Sequence, residues 1–169
     1  FVERVDPKTG NPDPEGQALR GYRFSRGWAD DQKIFFYAEF SKPFVSLDVQ
    51  TKDVRIWQDE SKIMPTYAHA YFETGKNEQV LMKVGLSSVS MEGAYDNMQA
   101  ELAGWDFDET ADLADYLWNH ELGRIHIDTQ DEVARKIFYT ALYHTMIAPS
   151  KFSDFSGDYR GKDYISETD

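Results

Sequence analysis

The chain is predicted to be α+β, an antiparallel sheet system first and helices after it. Between Lys33 and Ser90, apolar residues alternate with polar ones at the period of a strand. Beyond Ser90 the period lengthens to that of a helix, and helical runs continue to Ala148 with one short strand-like run among them. The strand-like runs are short and closely spaced by turn residues, which favours a β-sandwich over a parallel sheet with interleaved helices.

Residues 1–32 are rich in glycine, proline and charge (DPKTGNPDPEG, then GYRFSRGWADDQ) and read as irregular structure entering a sheet. From Lys33, IFFYAEF sets Ile34, Phe36, Ala38 and Phe40 on one face, and VSLDV alternates Val45, Leu47 and Val49 against Ser46 and Asp48. VRIW and YAHAYFE are shorter runs of the same kind. Gly75–Asn77 is a turn signal, and VLMKVGL after it alternates Val80, Met82, Val84 and Leu86 with smaller or polar residues.

Past Ser90, Met91, Ala94, Tyr95, Met98 and Leu102 fall on one helical stripe, ended by Gly104 at a plausible C′ position. A second helix is expected to start with Asp108 as its N-cap and to carry Ala111, Ala114, Trp118 and Leu122 inward before Gly123. GWDF places an indole at the corner between these helices, and RIHID reads as a short strand. Thr129 and Glu132 form a sequence-level capping box for a third helix, and Pro149 ends it. Val133, Ala134, Ile137, Phe138, Ala141, Leu142, Thr145 and Met146 spread over two adjoining stripes of that helix. Such a helix needs partners on two sides, as in a helical barrel or large bundle, and the rest of its layer is expected beyond Asp169.

With 169 residues, 41% of them apolar, the chain can form one domain or two small ones with a real core. Its net charge of −12 and lack of any basic run argue against nucleic acid and anionic membrane surfaces as partners. The acidity suits neutral sugars or divalent cations, and equally serves solubility alone. Without cysteine, thiolate catalysis, disulfides and Cys-ligated zinc are excluded. No apolar run approaches the roughly 18 residues that a membrane span needs, and nothing at Phe1 resembles a signal peptide. A chain that opens without Met and closes in a polar segment is expected to be a piece of something longer.

The densest chemistry lies between Phe152 and Asp163, where Asp154, Asp158, Asp163, Arg160, three aromatics and two glycines share one short connection. A carboxylate accepts hydrogen bonds from adjacent hydroxyls and an arginine beside it donates to a third, so Asp154, the Tyr159-Arg160-Gly161 turn and Asp163 are expected to line a polar ligand site. Asx-turns of Asp154 and Asp158 around Gly157, with Arg160 pairing to one of them, are the structural alternative. An EF-hand does not fit, because the glycine comes too early after Asp154 and no glutamate closes the loop. Trp28 is either a sugar-stacking platform or, the reading preferred here, a plug at the end of the sandwich. Trp57, Trp105 and Trp118 read as core or junction residues. His144 reads as a core histidine satisfied by a backbone carbonyl, and His69, His120 and His126 lack metal-ligand spacing.

Four blocks in order, GYRFSRGWADDQKIFFYAEFSKPF, VLMKVGLSSVSMEGAYDNMQAELAGWDFD, LWNHELGRIHID and IFYTALYHTMIAPSKFSDFSGDYRGKD, make the chain resemble glycoside hydrolase family 92, the calcium-dependent exo-acting α-mannosidases. The resemblance implies an N-terminal β-sandwich joined by a helical linker to an (α/α)6 barrel, with the active site between them. Residues 1–89 would be the later sandwich, 90–123 the linker, and 124–169 the start of the barrel with its first helix. It implies inverting hydrolysis of terminal α-linked mannose from mannose-containing glycans, a calcium ion (Ca2+) in the site, and export by a bacterium to the periplasm, cell surface or medium. The family's acid, base and most calcium ligands lie further along the chain than Asp169, so no catalytic or metal-binding residue is assigned here. The fragment alone is expected to be inactive and to need the rest of the barrel. The resemblance moves Asp154 toward substrate contact. A non-catalytic carbohydrate-binding sandwich is the alternative from another class.

Overall fold

A computed structural model describes residues 1–25, 31–51, 54–55, 62–63, 66–161 and 166–168. Four strands form the principal sheet: β1 (Val2–Val5), β2 (Ala18–Ser25), β3 (Gln32–Phe40) and β8 (Met82–Ser87), adjacent in that order and all antiparallel. Between β3 and β8 the chain makes two small antiparallel pairs. One is β4 (Ser46–Thr51) with β7 (Thr66–Tyr71), the other β5 (Val54–Arg55) with β6 (Lys62–Ile63). Helices α1 (Met91–Glu101), α2 (Phe107–Leu122) and α3 (Glu132–Met146) follow, and β9 (Asp158–Arg160) pairs with β10 (Ser166–Thr168). The α+β expectation of antiparallel sheets followed by helices holds.

Register decides the two faces of the sheet, because directly opposed residues in an antiparallel pair share a side. Phe36, Ala38 and Phe40 stand opposite Leu86, Val84 and Met82, which is the face the alternation anticipates. Tyr37, Glu39, Lys83, Gly85 and Ser87 occupy the other face, and α1 packs there. Its expected stripe faces inward: Ala94 and Met98 are buried, with Tyr95 and Leu102 packed against them over Val5, Ala18 and Tyr37. Gly85 permits this approach, since a Cβ there would overlap the carbonyl oxygen of Ala94. Lys83 pairs with Glu39 at 3.3 Å and donates to the Leu102 carbonyl at 3.1 Å, while Glu39 also accepts from Gln99 at 3.3 Å. The turn between Gly75 and Glu78 sits where expected, with Asn77 at a positive φ of 63°.

The chain divides into two compact units, Phe1–Ala103 with Ser153–Asp169, and Gly104–Phe152. In the second unit, Trp118 meets Tyr143 edge-on with ring centroids 4.7 Å apart, and no residue of α2 or α3 is buried. Ala111, Ala114 and Trp118 therefore do not form a buried stripe, and Val133 and Ile137 are 68% and 64% exposed.

Residues 1–32 are not only irregular structure, since β1 and β2 supply two of the four strands of the principal sheet. Gly104 is not at C′, because α1 ends at Glu101 with Leu102 as its C-cap. Three further local expectations are corrected. Asp106, not Asp108, caps α2, accepting from the Glu109 amide at 2.9 Å. Asp131 rather than Thr129 caps α3: its Oδ1 accepts from both the Val133 and Ala134 amides, while Thr129 Oγ1 accepts from the Asp131 amide. Finally, 124–128 is not a strand: no partner edge lies beside it among the described residues, and Ile125 is instead held by a hydrogen bond from the Tyr139 hydroxyl to its carbonyl.

Candidate functional site

The segment after Pro149 returns to the sheet-bearing unit as a tight turn. Gly157 donates to the Asp154 carbonyl at 3.0 Å and Asp154 donates back to the Asp158 carbonyl at 2.8 Å. The turn requires glycine at position 157, where φ is 94°. Ser156 Oγ donates to Asp158 Oδ2 at 2.9 Å, and the chain then runs into β9, which places Tyr159 opposite Glu167.

Asp154 points inward. It is 5% exposed; its Oδ2 accepts from Ser87 Oγ at 2.6 Å and its Oδ1 from Asn97 Nδ2 at 2.9 Å. Neither the Asx-turn alternative nor direct presentation to a ligand describes that geometry. At the other end of the turn Arg160, whose side chain is 10% exposed, donates to Asp31 Oδ2 at 3.0 Å. Lys33 approaches the same oxygen at 3.2 Å and lies 5.1 Å from the ring centroid of Phe24. Phe24 stacks on Tyr22, which stacks on Phe1, so an aromatic row borders this Arg160-Asp31-Lys33 group. Two cations thus share one carboxylate.

Of the residues expected at a sugar, the structure thus places Asp154, Tyr159 and Arg160 on one turn but turns Asp154 away from solvent. Trp28 and Asp163 lie outside the described residues, as does Trp57. His144 is exposed on α3 rather than in a core, beside Tyr143, and lines an open groove of about 600 Å³ with Val133, Ile137 and Ala141. Trp105 and Trp118 are partly exposed, at 37% and 39%. Sequence reasoning missed Asp31, Ser87, Gly93 and Asn97. Asp31 stands beside Trp28 in a block already singled out, but its pairing to Arg160 spans 129 residues and leaves no local trace. Among the described residues no group of three or more His, Asp or Glu side chains is arranged to hold a metal ion. Asp154 has both carboxylate oxygens engaged by protein donors.

The profile "Glycosyl hydrolase family 92 N-terminal domain" matches residues 7–87, and the "Glycosyl hydrolase family 92 catalytic domain" profile matches residues 93–169. This chain belongs to glycoside hydrolase family 92. The family 92 α-mannosidase BT3965 of Bacteroides thetaiotaomicron superposes with a TM-score of 0.82 and 27% identity, covering 99% of this chain and 22% of that one. The inverting family 92 mannosidase BT2199 of the same organism shares the fold at a TM-score of 0.78 with 22% identity, over 99% of this chain and 23% of its own. An uncharacterized secreted glycosidase of Arthroderma benhamiae is 28% identical over 97 residues, which is 55% of this chain and 12% of that protein. The family 92 chain described here thus spans about a fifth of the solved structures it matches. The family profiles meet between Ser87 and Gly93, the two residues that flank the Asp154 carboxylate.

Proposed function

We propose that the protein carrying this chain is an exo-acting α-mannosidase that hydrolyses terminal α-linked mannose from glycans with inversion. The observation that carries this reading is the match of 99% of the chain, at 27% identity, to an α-mannosidase also solved in complex with mannoimidazole. In the proposal, Arg160 and Tyr159 contribute to the sugar site together with Trp28 and Asp163, and Arg160, steadied by Asp31, donates to a sugar hydroxyl. Inversion requires a general acid and a general base roughly 6.5–9.5 Å apart on opposite faces of the sugar. A single turn held against one sheet cannot span that arrangement, so this chain contributes recognition and the acid and base come from elsewhere in the protein. Calcium belongs to the proposal as a cofactor of the whole enzyme, with its ligands outside the residues described.

The proposed division is a sandwich over residues 1–89, a linker over 90–123 and the opening of a catalytic barrel over 124–169. Export from the cell, to the periplasm, surface or medium, goes with it, as do mannose-containing glycans as partners. No helix among the described residues is long and apolar enough to cross a membrane.

The test is release of free mannose from α-mannobiosides by the whole protein, with and without a calcium chelator. Chelator-sensitive release with the anomer inverted, followed by proton NMR, is the expected result. Sugar binding without release on any linkage would replace the enzyme with a carbohydrate-binding module.

A further inference from the structure

We propose that Ser87, Gly93 and Asn97 form a socket for the Asp154 carboxylate that sets where Asp158–Arg160 is presented, making Asp154 a positioning residue and not a ligand of sugar or cation. The inference rests on reading Tyr159 and Arg160 as part of the sugar site.

Each member of the socket is committed. Ser87 Oγ accepts from the Val89 and Ser90 amides at 2.8 and 3.2 Å, so its single proton is left for Asp154. Asn97 reads two consecutive residues of the segment: its Nδ2 donates to Asp154 Oδ1 at 2.9 Å, and its Oδ1 accepts from the Phe155 amide at 2.6 Å. Its second amide proton goes to the Leu86 carbonyl at 2.9 Å, which ties the pair to β8. Gly93 supplies room, since a Cβ there would overlap Asp154 Oδ2 and come to 3.0 Å from Ser87 Oγ. It lies in the first turn of α1, capped by Ser90.

A carboxylate enclosed in this way cannot reach a sugar hydroxyl without giving up charge-assisted hydrogen bonds inside the protein. The segment that carries it is tied again at its far end by Arg160 to Asp31. A stretch matched by the catalytic-domain profile is therefore tied, through Ser87 near one end and Asp31 at the other, to the part matched by the N-terminal profile. Loss of the near tie releases the turn and with it the placement of Tyr159 and Arg160.

The experiment uses the whole protein in three forms, Asn97→Asp, Asp154→Asn and the double exchange. The first opposes two carboxylates and the second opposes two amides, whereas the exchange restores a carboxylate facing an amide. Mannoside kinetics and backbone hydrogen exchange of residues 153–161 are measured together, with exchange of α1 as the control for folding. Each single variant is expected to raise KM about tenfold or more and to speed exchange across the segment, and the double variant, which restores the facing pair but not the bond to the Leu86 carbonyl, to recover part of both. Direct contact of Asp154 with sugar or metal predicts no recovery, which would overturn the proposal. Unchanged exchange in the single variants would also overturn it, whatever the kinetics. Exchange that rises and recovers while kinetics stay unchanged would refute the sugar-site reading, and with it the positioning role, leaving only a structural tie.

Discussion

Tyr37 stands fully buried between the sheet and α1, edge-on to Tyr95 with ring centroids 4.9 Å apart, and its hydroxyl has no hydrogen-bond partner among the described residues. Burial, and next to it the charge of Glu39, pushes the phenol well above its ordinary value. An unfolded chain gives up this proton near pH 10, the usual tyrosine value, while the folded chain keeps it. The stability linked to the neutral phenol is therefore whole below that pH and falls as pH rises above it. Tyr37→Phe removes an unsatisfied polar atom without opening a cavity, so stability at neutral pH is expected to stay within about 1 kcal/mol of the parent or to rise. The alkaline decline becomes shallower in the variant. Denaturant unfolding of both proteins between neutral and strongly alkaline pH measures this, and a large loss at neutral pH would mean that the hydroxyl is satisfied.

At the scale of elements, α1 is the part that the sheet depends on most. Beyond the apolar contacts of Ala94 and Met98, it is joined to the sheet through the Lys83-Glu39 pair, whose side chains are 9% and 11% exposed. Lys83 also places its cation against the carbonyl of Leu102 at the C-terminal end of the helix, where the helix dipole is negative. Removing one member leaves the other's charge buried without its partner. Lys83→Ala is therefore expected to cost about 3–5 kcal/mol, and Glu39→Leu with Lys83→Met much less. Chemical denaturation of the two variants decides it; equal losses would show that packing, not charge, holds the helix. The strands and α1 were legible because their patterns are local: Phe36 and Ala38 alternate with Tyr37 whatever they pair with, and Met91 to Leu102 repeat at helical spacing. The caps were less so, since Asp106, Asp108, Thr129 and Asp131 are all competent by chemistry and backbone geometry chooses between them.

For the whole molecule, the faces left open are apolar. On the side of the sheet away from α1, Ile34, Met82 and Leu86 are 41%, 60% and 59% exposed, and Val133 and Ile137 of the other unit are exposed still more. Patches of this kind on a soluble protein drive association unless something covers them. A polypeptide limited to these 169 residues is expected to self-associate and to bind a hydrophobic dye, and the whole protein to do neither. Size-exclusion chromatography with dye fluorescence is sufficient, and a dye-silent monomer would contradict the expectation.

The sequence by itself determined the class of fold, the principal strands from β3 to β8, the three helices and the family, because each is written in residue type and spacing along the chain, whereas β1 and β2 lie in a glycine- and proline-rich stretch whose pairing only the folded sheet reveals. Only the tertiary structure decided what Asp154 faces. Its partners Asn97 and Ser87 are 57 and 67 residues away, and Asp31, the partner of Arg160, is 129 residues away. An aspartate in a glycine-broken loop carries the same local signature whether it meets solvent, sugar or a buried amide. Folding alone sets its surroundings, through the packing of α1 on β8 and the room that Gly93 leaves beside Ser87.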